Sequence, residues 1–204
     1  MNASQVCLHN ALKVMVEKIA TVLQSYGYRG EPVKMILAGG MAMNYYCGTR
    51  YTEDVDAVFS RKILLPYEDL LVNYIREDGS EGFIYFDTNY TPTLSLMHEN
   101  YEEDIVLYSE AQIEGAPISH NDSVIQLYCL APIDLALSKI ARFSEQDVED
   151  ILELARRHYF SADELKAKGL EALGYYIGNI QSVENGIHLI CEKIKCDLSD
   201  SNNR

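Results

Sequence analysis

Residues 33–59 read VKMILAGGMAMNYYCGTRYTEDVDAVF, and this stretch contains the two motifs that decide the fold. Residues 33–38 form a short apolar run that ends at Gly39-Gly40, which predicts a buried strand followed by a turn. Residues 41–47 are predicted to form a short helix that ends at Gly48. Residues 54–59 are predicted to form a second strand. The order strand, turn, helix, strand indicates an α/β domain.

The glycine pair, Gly39 and Gly40, allows two interpretations. Glycines after a strand let the backbone approach a ligand closely, and the helix that follows offers free N–H groups to a phosphate. A glycine pair also simply permits a tight turn. The pair by itself leaves both interpretations open.

The acidic pair, Asp54 and Asp56, is separated by one residue in the second predicted strand. Strand alternation then places both carboxylates on one face. Two like charges side by side are unfavourable unless a cation lies between them, and Mg²⁺ prefers carboxylate and phosphate oxygens. Such a site can serve phosphoryl transfer. The alternative is a solvated edge strand with two surface acids.

In combination, the two motifs resemble the signature of the nucleotidyltransferase superfamily across residues 37–56. Within that segment, residues 48–52 (GTRYT) are similar to the bacterial branch that includes the AbiEii-like toxins. A later block, residues 131–139 (APIDLALSK) with Arg142, Asp147 and Asp150, resembles the second block of that branch and of its DUF6036 relatives. The resemblance covers most of residues 33–157. It implies a small mixed sheet flanked by helices, followed by a C-terminal helical bundle.

The resemblance also implies roles for the matching positions of the first block. Gly39 and Gly40 would hold the phosphates of the nucleotide. Asp54 and Asp56 would be catalytic and would bind Mg²⁺. Residues in the connecting loop would either contact phosphate or brace the loop; these are Arg50 and Thr52.

In the second block, the resemblance implies that Lys139 reaches a phosphate from the helical region. Asp147 and Asp150 would lie near the same cleft. A plainer interpretation remains for two of them: Lys139 is then a solvated helix residue, and Asp147 only caps a helix.

The superfamily usually requires a third carboxylate on a later strand, and two residues are candidates. Asp104 precedes Ile105-Val106-Leu107, the expected order of an acid followed by apolar residues, and is preferred as a catalytic residue and Mg²⁺ ligand. Asp87 follows the apolar residues 83–86 and is the other catalytic candidate. The sequence does not decide between them.

The remaining elements are predicted from hydrophobic periodicity and from residues typical of helix ends. A helix is expected over residues 4–26, and a second helix is expected from Pro66 to near Asp78-Gly79. Further strands are expected at residues 83–86, 93–97, 105–108 and 124–130.

After Pro132 the pattern becomes helical. Helices are expected over residues 133–143, from Ser144 to about residue 158, and over residues 183–195. A third helix start is marked by Ser161 and Glu164, which form a capping-box pattern. We therefore expect an α/β domain at residues 1–131 and a helical region at residues 132–204.

The composition excludes several classes of protein. A formal net charge of −14 repels nucleic acid and anionic membranes at long range. Five cysteines, an odd number without a Cys-x-x-Cys motif, argue against a disulfide framework and a structural zinc site. No apolar run is long enough to span a bilayer, and no signal-peptide pattern is present. We therefore expect a cytoplasmic protein without a membrane partner.

The expected function is Mg²⁺-dependent transfer of a nucleoside monophosphate from an NTP to an acceptor hydroxyl. The toxin-like relatives imply RNA, including tRNA, as the acceptor, and a cognate antitoxin protein as a partner. Because a charge of −14 disfavours RNA unless the cleft is locally positive, a protein hydroxyl or a small molecule stays open. The alternative is a non-catalytic nucleotide-binding or regulatory protein that keeps the fold.

Overall fold

The computed structural model describes residues 3–48, 50–66, 70–92, 95–108 and 124–201, which belong to two compact units. The first unit consists of Met1–Tyr90 and Val106–Cys129. The second consists of Thr91–Ile105 and Leu130–Arg204. Every strand described lies in the first unit, and the second is helical, so the chain has the predicted α/β class with a helical C-terminal region.

Two helices and seven strands make up the described part of the first unit. In chain order they are α1 (Ala3–Ser25), β1 (Val33–Leu37), α2 (Gly39–Cys47), β2 (Asp54–Val55), β3 (Ala57–Phe59), β4 (Leu71–Ile75), β5 (Glu81–Phe86), β6 (Val106–Leu107) and β7 (Ile125–Cys129).

The strands form two small mixed sheets. The larger sheet has the order β3-β1-β7-β6, in which β1 runs parallel to β7 and antiparallel to β3. The smaller sheet has the order β2-β5-β4, in which β5 runs parallel to β2 and antiparallel to β4. Strand β1 lies inside the larger sheet and is almost wholly buried, which explains why its sequence is a nearly continuous apolar run.

Helix α1 contributes one apolar stripe to the core of the first unit. Its buried side chains recur at helical spacing, and the helix contacts β4 and β7. Large buried members of this stripe are Leu8, Leu12, Met15, Ile19 and Leu23.

The predicted single strand at residues 54–59 is wrong in its continuity. The chain forms β2 in the smaller sheet and β3 in the larger sheet, and Asp56 lies at the crossing between them. At this point the Asp56 carbonyl accepts a hydrogen bond from the N–H of Ala38 at 2.9 Å. The crossing therefore ties Asp56 to the end of β1.

The helix predicted from Pro66 to near Asp78-Gly79 is also wrong. Leu71–Ile75 forms the strand β4, whose residues alternate between exposed and buried and pair with β5. The spacing of its apolar residues fits a helix by chance, and pairing with a distant strand overrides that local signal. Residues 67–69 lie outside the described residues. Of the strand predicted at 93–97, residues 93–94 also lie outside them, and residues 95–97 are not a strand.

The second unit contains four α-helices among its described residues. They are α3 (Pro132–Ile140), α4 (Glu145–Arg156), α5 (Ala162–Ala172) and α6 (Ile180–Ser201), with a 3-10 turn at Leu173–Tyr175 after α5. Both predicted helix starts are confirmed, because Ser144 and Ser161 each form a complete capping box. The segment Thr91–Ile105 joins this unit although it precedes the helices by many residues.

Two expectations from the composition can be compared with the structure. All five cysteines are free thiols, as their odd number and spacing predicted. Within the described part of the chain, no helix combines the length and the apolar character that crossing a membrane requires.

We predict that Ser161→Ala lowers the free energy of unfolding by about 1 kcal/mol. The Ser161 hydroxyl accepts a hydrogen bond from the Glu164 N–H at 3.2 Å, and the substitution leaves that N–H without its cap. Ser199→Ala, at an exposed position inside α6, is the matched control. Chemical denaturation of both variants checks the prediction, and equal losses would contradict it.

Candidate functional site

The glycine turn lies between β1 and α2. Gly39, the first residue of α2, has a φ of +52°, and Ala38 before it provides no side-chain cap for the helix. A Cβ atom on Gly39 would lie 1.8 Å from the Asp56 carboxylate oxygen Oδ2. Only glycine therefore allows the start of α2 and the Asp56 carboxylate to approach each other this closely.

The second glycine has a different neighbour. A Cβ atom on Gly40 would lie 2.6 Å from the Cβ and Oγ1 atoms of Thr52. Thr52 is buried, and its hydroxyl donates to the Asp54 carboxylate and to the Asp54 carbonyl, the latter at 3.3 Å. Of the two roles predicted for Thr52, these contacts are those of a brace that fixes Asp54.

The loop between α2 and β2 is fixed at both ends. Gly48 ends α2 with a φ of +68°, and its N–H donates to the Asn44 carbonyl at 2.8 Å. The Asn44 side chain donates to the Arg50 carbonyl at 2.7 Å. The backbone at Arg50 is therefore held against α2, whereas a contact of its guanidinium with phosphate remains a prediction.

Asp87 lies at the end of β5, directly beside the acidic pair. The parallel pairing sets Asp54 opposite Tyr85 and Val55 opposite Phe86, and the Asp87 N–H donates to the Val55 carbonyl at 3.1 Å. The Asp87 backbone therefore lies beside Val55, the residue between Asp54 and Asp56.

The Tyr85 hydroxyl lies near several of these negatively charged carboxylates. Its pKa is raised, first by burial and then by the charges of four carboxylates. Burial and the like charge of these acids both disfavour a negative phenolate. The acids are Asp54, Asp87, Asp56 and Glu53.

Among the residues that the structure describes, no three His, Cys, Asp or Glu side chains converge closely enough to bind a metal ion by themselves. Asp54, Asp56 and Asp87 are all half-buried, so each carboxylate keeps some access to solvent. In the first unit these three are the acids that the sequence analysis named, and backbone pairing places β2 beside β5.

The second unit holds a separate, buried ionic cluster. Lys139 is 3% exposed, and its amine donates to Asp150 at 2.8 Å and lies 3.9 Å from Asp147. Asp147 is wholly buried and accepts from Arg142 Nε at 2.7 Å and from Ser144 at its own helix start.

The contacts in this cluster show what Asp147 and Lys139 do within the second unit. Asp147 caps α4, as one of the two interpretations predicted, and Lys139 is a buried ion-pair partner and not a solvated helix residue. That Lys139 reaches a phosphate, and that Asp147 and Asp150 lie near a nucleotide, remain predictions.

Asp104, the preferred third carboxylate, belongs to the second unit. It accepts from the Lys168 amine at 2.9 Å, and the same amine donates to the wholly buried Asp134 at 2.7 Å. Burial raises the pKa of the Asp134 carboxyl, and the hydrogen bond from Lys168 opposes this rise. The catalytic role of Asp104 remains a prediction.

Sequence reasoning missed Asp134 and Lys168. One signal was present for Asp134, because it is a single acid in the first turn of a short helix that is otherwise strongly apolar. Its partner on α5 could not be found from sequence spacing, since residues 134 and 168 are distant along the chain.

The first unit combines small mixed sheets with a glycine turn and neighbouring carboxylates. This arrangement is a nucleotidyltransferase-like fold. The family model described as "Nucleotidyltransferase of unknown function (DUF6036)" matches residues 10–185, and the chain belongs to this family. No curated protein and no solved structure shows a significant match to the chain. The resemblance to the nucleotidyltransferase superfamily and its DUF6036 relatives is thereby confirmed.

We predict that Gly39→Ala lowers the free energy of unfolding by about 1–3 kcal/mol, because it combines backbone strain with a clash against Asp56. Gly27→Ala is the matched control, since Gly27 also has a positive φ (+76°) but has no atom within 4 Å of the added Cβ. Its cost is expected near 1 kcal/mol. In an Asp56→Ala background the cost of Gly39→Ala should fall towards the control; an unchanged cost would show that the clash is unimportant.

We predict that the Asp147 carboxyl makes stability depend on acidic pH. Burial opposes its ionisation, but hydrogen bonds from Arg142 and Ser144 and the charge of Arg142 outweigh burial and lower the pKa from 3.8 to about 2. Because the folded-state pKa is the lower one, this stabilisation is present above the unfolded-state value and is lost as the pH falls through the folded-state value. Its size is about 2 kcal/mol.

Denaturation midpoints measured over this acidic range check the prediction. Asp147→Asn should flatten the pH dependence, whereas Glu145→Gln, an exposed change in the same helical turn, should leave it as in the wild type. A slope that survives in Asp147→Asn would assign the effect to another group.

Proposed function

We propose that this protein is a Mg²⁺-dependent nucleotidyltransferase that moves a nucleoside monophosphate from an NTP to an acceptor hydroxyl. The observation that carries the proposal is the contact between the Gly39 backbone and the Asp56 carboxylate. It sets the N-terminus of a helix, which favours phosphate, beside an acid that can hold a cation. Membership of the DUF6036 family supports the same class of chemistry.

The acidic pair suits a metal ion that arrives with its substrate. Mg²⁺ usually takes one or two carboxylates and obtains its other ligands from substrate phosphates and water. Asp54 and Asp56 supply that number, and Thr52 fixes the orientation of Asp54. When bound, the ion would neutralise charge on the phosphates and on the leaving pyrophosphate.

In the proposed reaction the acceptor oxygen forms a bond to the α-phosphorus while the bond from that phosphorus to the bridging oxygen of pyrophosphate breaks. The acceptor proton requires a base. We assign this role to Asp87, because its backbone pairs with Val55 between the two acids of the pair. The N–H groups at Gly39 and Gly40 would hold the phosphates and keep the α-phosphorus in place.

The finer parts of the proposal rest on the resemblance to the toxin-like branch. These are an RNA acceptor, an antitoxin partner and a role within a toxin–antitoxin pair. They are kept as proposals beside the chemistry itself.

A second candidate is a nucleotide-binding protein without turnover. One observation favours it: Lys139, expected to reach a phosphate, is 3% exposed and bound to Asp150 at 2.8 Å. A lysine that remains in this pair cannot neutralise charge on a substrate, which would weaken catalysis more than binding.

We predict that the protein incorporates label from α-labelled ATP, CTP, GTP or UTP into an acceptor from total RNA or protein extract when Mg²⁺ is present. Removing the acidic pair with Asp54→Ala and Asp56→Ala should abolish incorporation. Product separation by gel, with nuclease and protease digestion, identifies the acceptor class. Mg²⁺-dependent NTP binding without any product would favour the second candidate.

The same assay distinguishes the two candidates for the third carboxylate. Asp87→Asn should reduce incorporation by about 10²–10⁴-fold, the usual contribution of a general base. Asp104→Asn changes an exposed acid paired with Lys168 and is expected to leave incorporation near the wild-type rate. The reverse result would return the role to Asp104.

A further inference from the structure

The smaller sheet exposes one of its two faces. The antiparallel register sets Leu71 opposite Tyr85 and Ile75 opposite Glu81, and directly paired residues project to the same side. The alternating residues Val72 and Ile84 are buried on the other side. One face of this sheet therefore packs on the core, and the other meets solvent.

The exposed side is unusually apolar. It presents four large apolar side chains, and the Phe83 and Tyr85 rings are neighbours with their centroids 6.5 Å apart. Single exposed apolar residues are common, but a contiguous group of this kind marks a binding surface. We name this group the apolar face; its members and their exposed fractions are Leu71 (44%), Ile75 (59%), Phe83 (37%) and Tyr85 (41%).

The polar strand residues beside the apolar face are acidic or neutral. Glu81 lies opposite Ile75 at one end, and Asp54 lies opposite Tyr85 at the other. The remaining strand residue on this side is Asn73. None of the described residues of β2, β4 and β5 that point to this side is basic.

Two cations lie near the sheet, and one of them is next to Leu71 of the apolar face. The Lys18 amine donates to the Leu71 carbonyl at 2.9 Å, at the edge of β4. Arg76, after the end of β4, lies over the ring of Tyr51 and 3.6 Å from Glu53. Both cations already have partners of their own.

We propose that the apolar face binds a positively charged polypeptide segment that carries apolar side chains. Its lysines or arginines would pair with the Glu81 carboxylate, which the proposed metal site does not use, and its apolar side chains would cover Phe83 and Ile75. A nucleic-acid strand would bring phosphates to carboxylates, and no described strand residue on this side is basic. The net charge of −14 favours approach of a basic partner at long range.

The position of the apolar face beside the acidic pair indicates what the bound segment does. Asp54, Tyr85 and Leu71 form one row across the three strands, so a bound segment lies beside the acidic pair. On the proposed function, a serine, threonine or tyrosine hydroxyl of the segment is the acceptor, and its oxygen replaces pyrophosphate at the α-phosphorus. This last step rests on the proposed function, whereas the binding does not.

Binding is tested first, without nucleotide, by fluorescence anisotropy. The probes are a short labelled peptide of alternating lysine and leucine, a matched glutamate–leucine peptide and an oligouridine of equal length. The lysine–leucine peptide alone should bind, and added salt should weaken it. Binding of the oligouridine in place of this peptide would overturn the proposal.

The site of binding is tested with matched variants. Phe83→Ser combined with Ile75→Ser should weaken binding of the lysine–leucine peptide by about tenfold or more. Leu64→Ser, at a residue 75% exposed outside the strands, controls for a general loss of apolar surface and should leave binding unchanged. Glu81→Lys should also weaken binding and changes no buried residue. Equal binding by all variants would overturn the proposal, and circular dichroism confirms that each is folded.

Transfer is tested last, with a serine placed in the lysine–leucine peptide and with labelled NTP and Mg²⁺. Label on the peptide, reduced by the Phe83 and Ile75 substitutions, is the expected result. Label on RNA without peptide binding would overturn the inference while the proposed function stands. Peptide binding with no transfer to any acceptor would leave the apolar face as a binding surface and count against the proposed function.

Discussion

The close approach of the Gly39 backbone to the Asp56 carboxylate is the constraint on which the rest of the candidate site depends. It requires a residue without a Cβ atom at the start of α2, and it requires the chain to cross from one sheet to the other at Asp56. The Ala38 N–H secures this crossing by its bond to the Asp56 carbonyl, and the pairing of Leu37 with Ala57 continues it into the larger sheet. The start of α2, the Asp56 carboxylate and the junction between the two sheets therefore depend on one another.

The fold was predictable where the signal is local. An apolar run before glycine predicts strand β1. Ser144 and Ser161 predict the starts of α4 and α5, because a capping box uses residues three positions apart. Strand β4 was misread because its pairing partner is distant along the chain and its own spacing fits a helix. The break at Asp56 was missed because hydrophobic pattern does not say which sheet a strand joins.

The candidate site shows the same difference between local signals and long-range pairing. Gly39, Asp54 and Asp56 were found because they are near one another in sequence. The proposal that Asp87 is the base depends on which strand pairs with β2, and the sequence does not show this pairing. The pairing of Lys139 with Asp150 joins two helices, and helical periodicity alone gives no sign of it. Long-range pairing, more than residue chemistry, set the limit of sequence reasoning.

The segment Thr91–Ile105 has a consequence for how the molecule is made. The chain leaves the first unit, enters the second, returns and leaves again, so neither unit is a continuous stretch. Asp104 is held by Lys168, and His98 lies 3.5 Å from Glu171, both on α5. During synthesis on the ribosome, this segment emerges long before α5 exists. It must therefore wait, undocked, until α5 has been translated, and the second unit is completed only after that point.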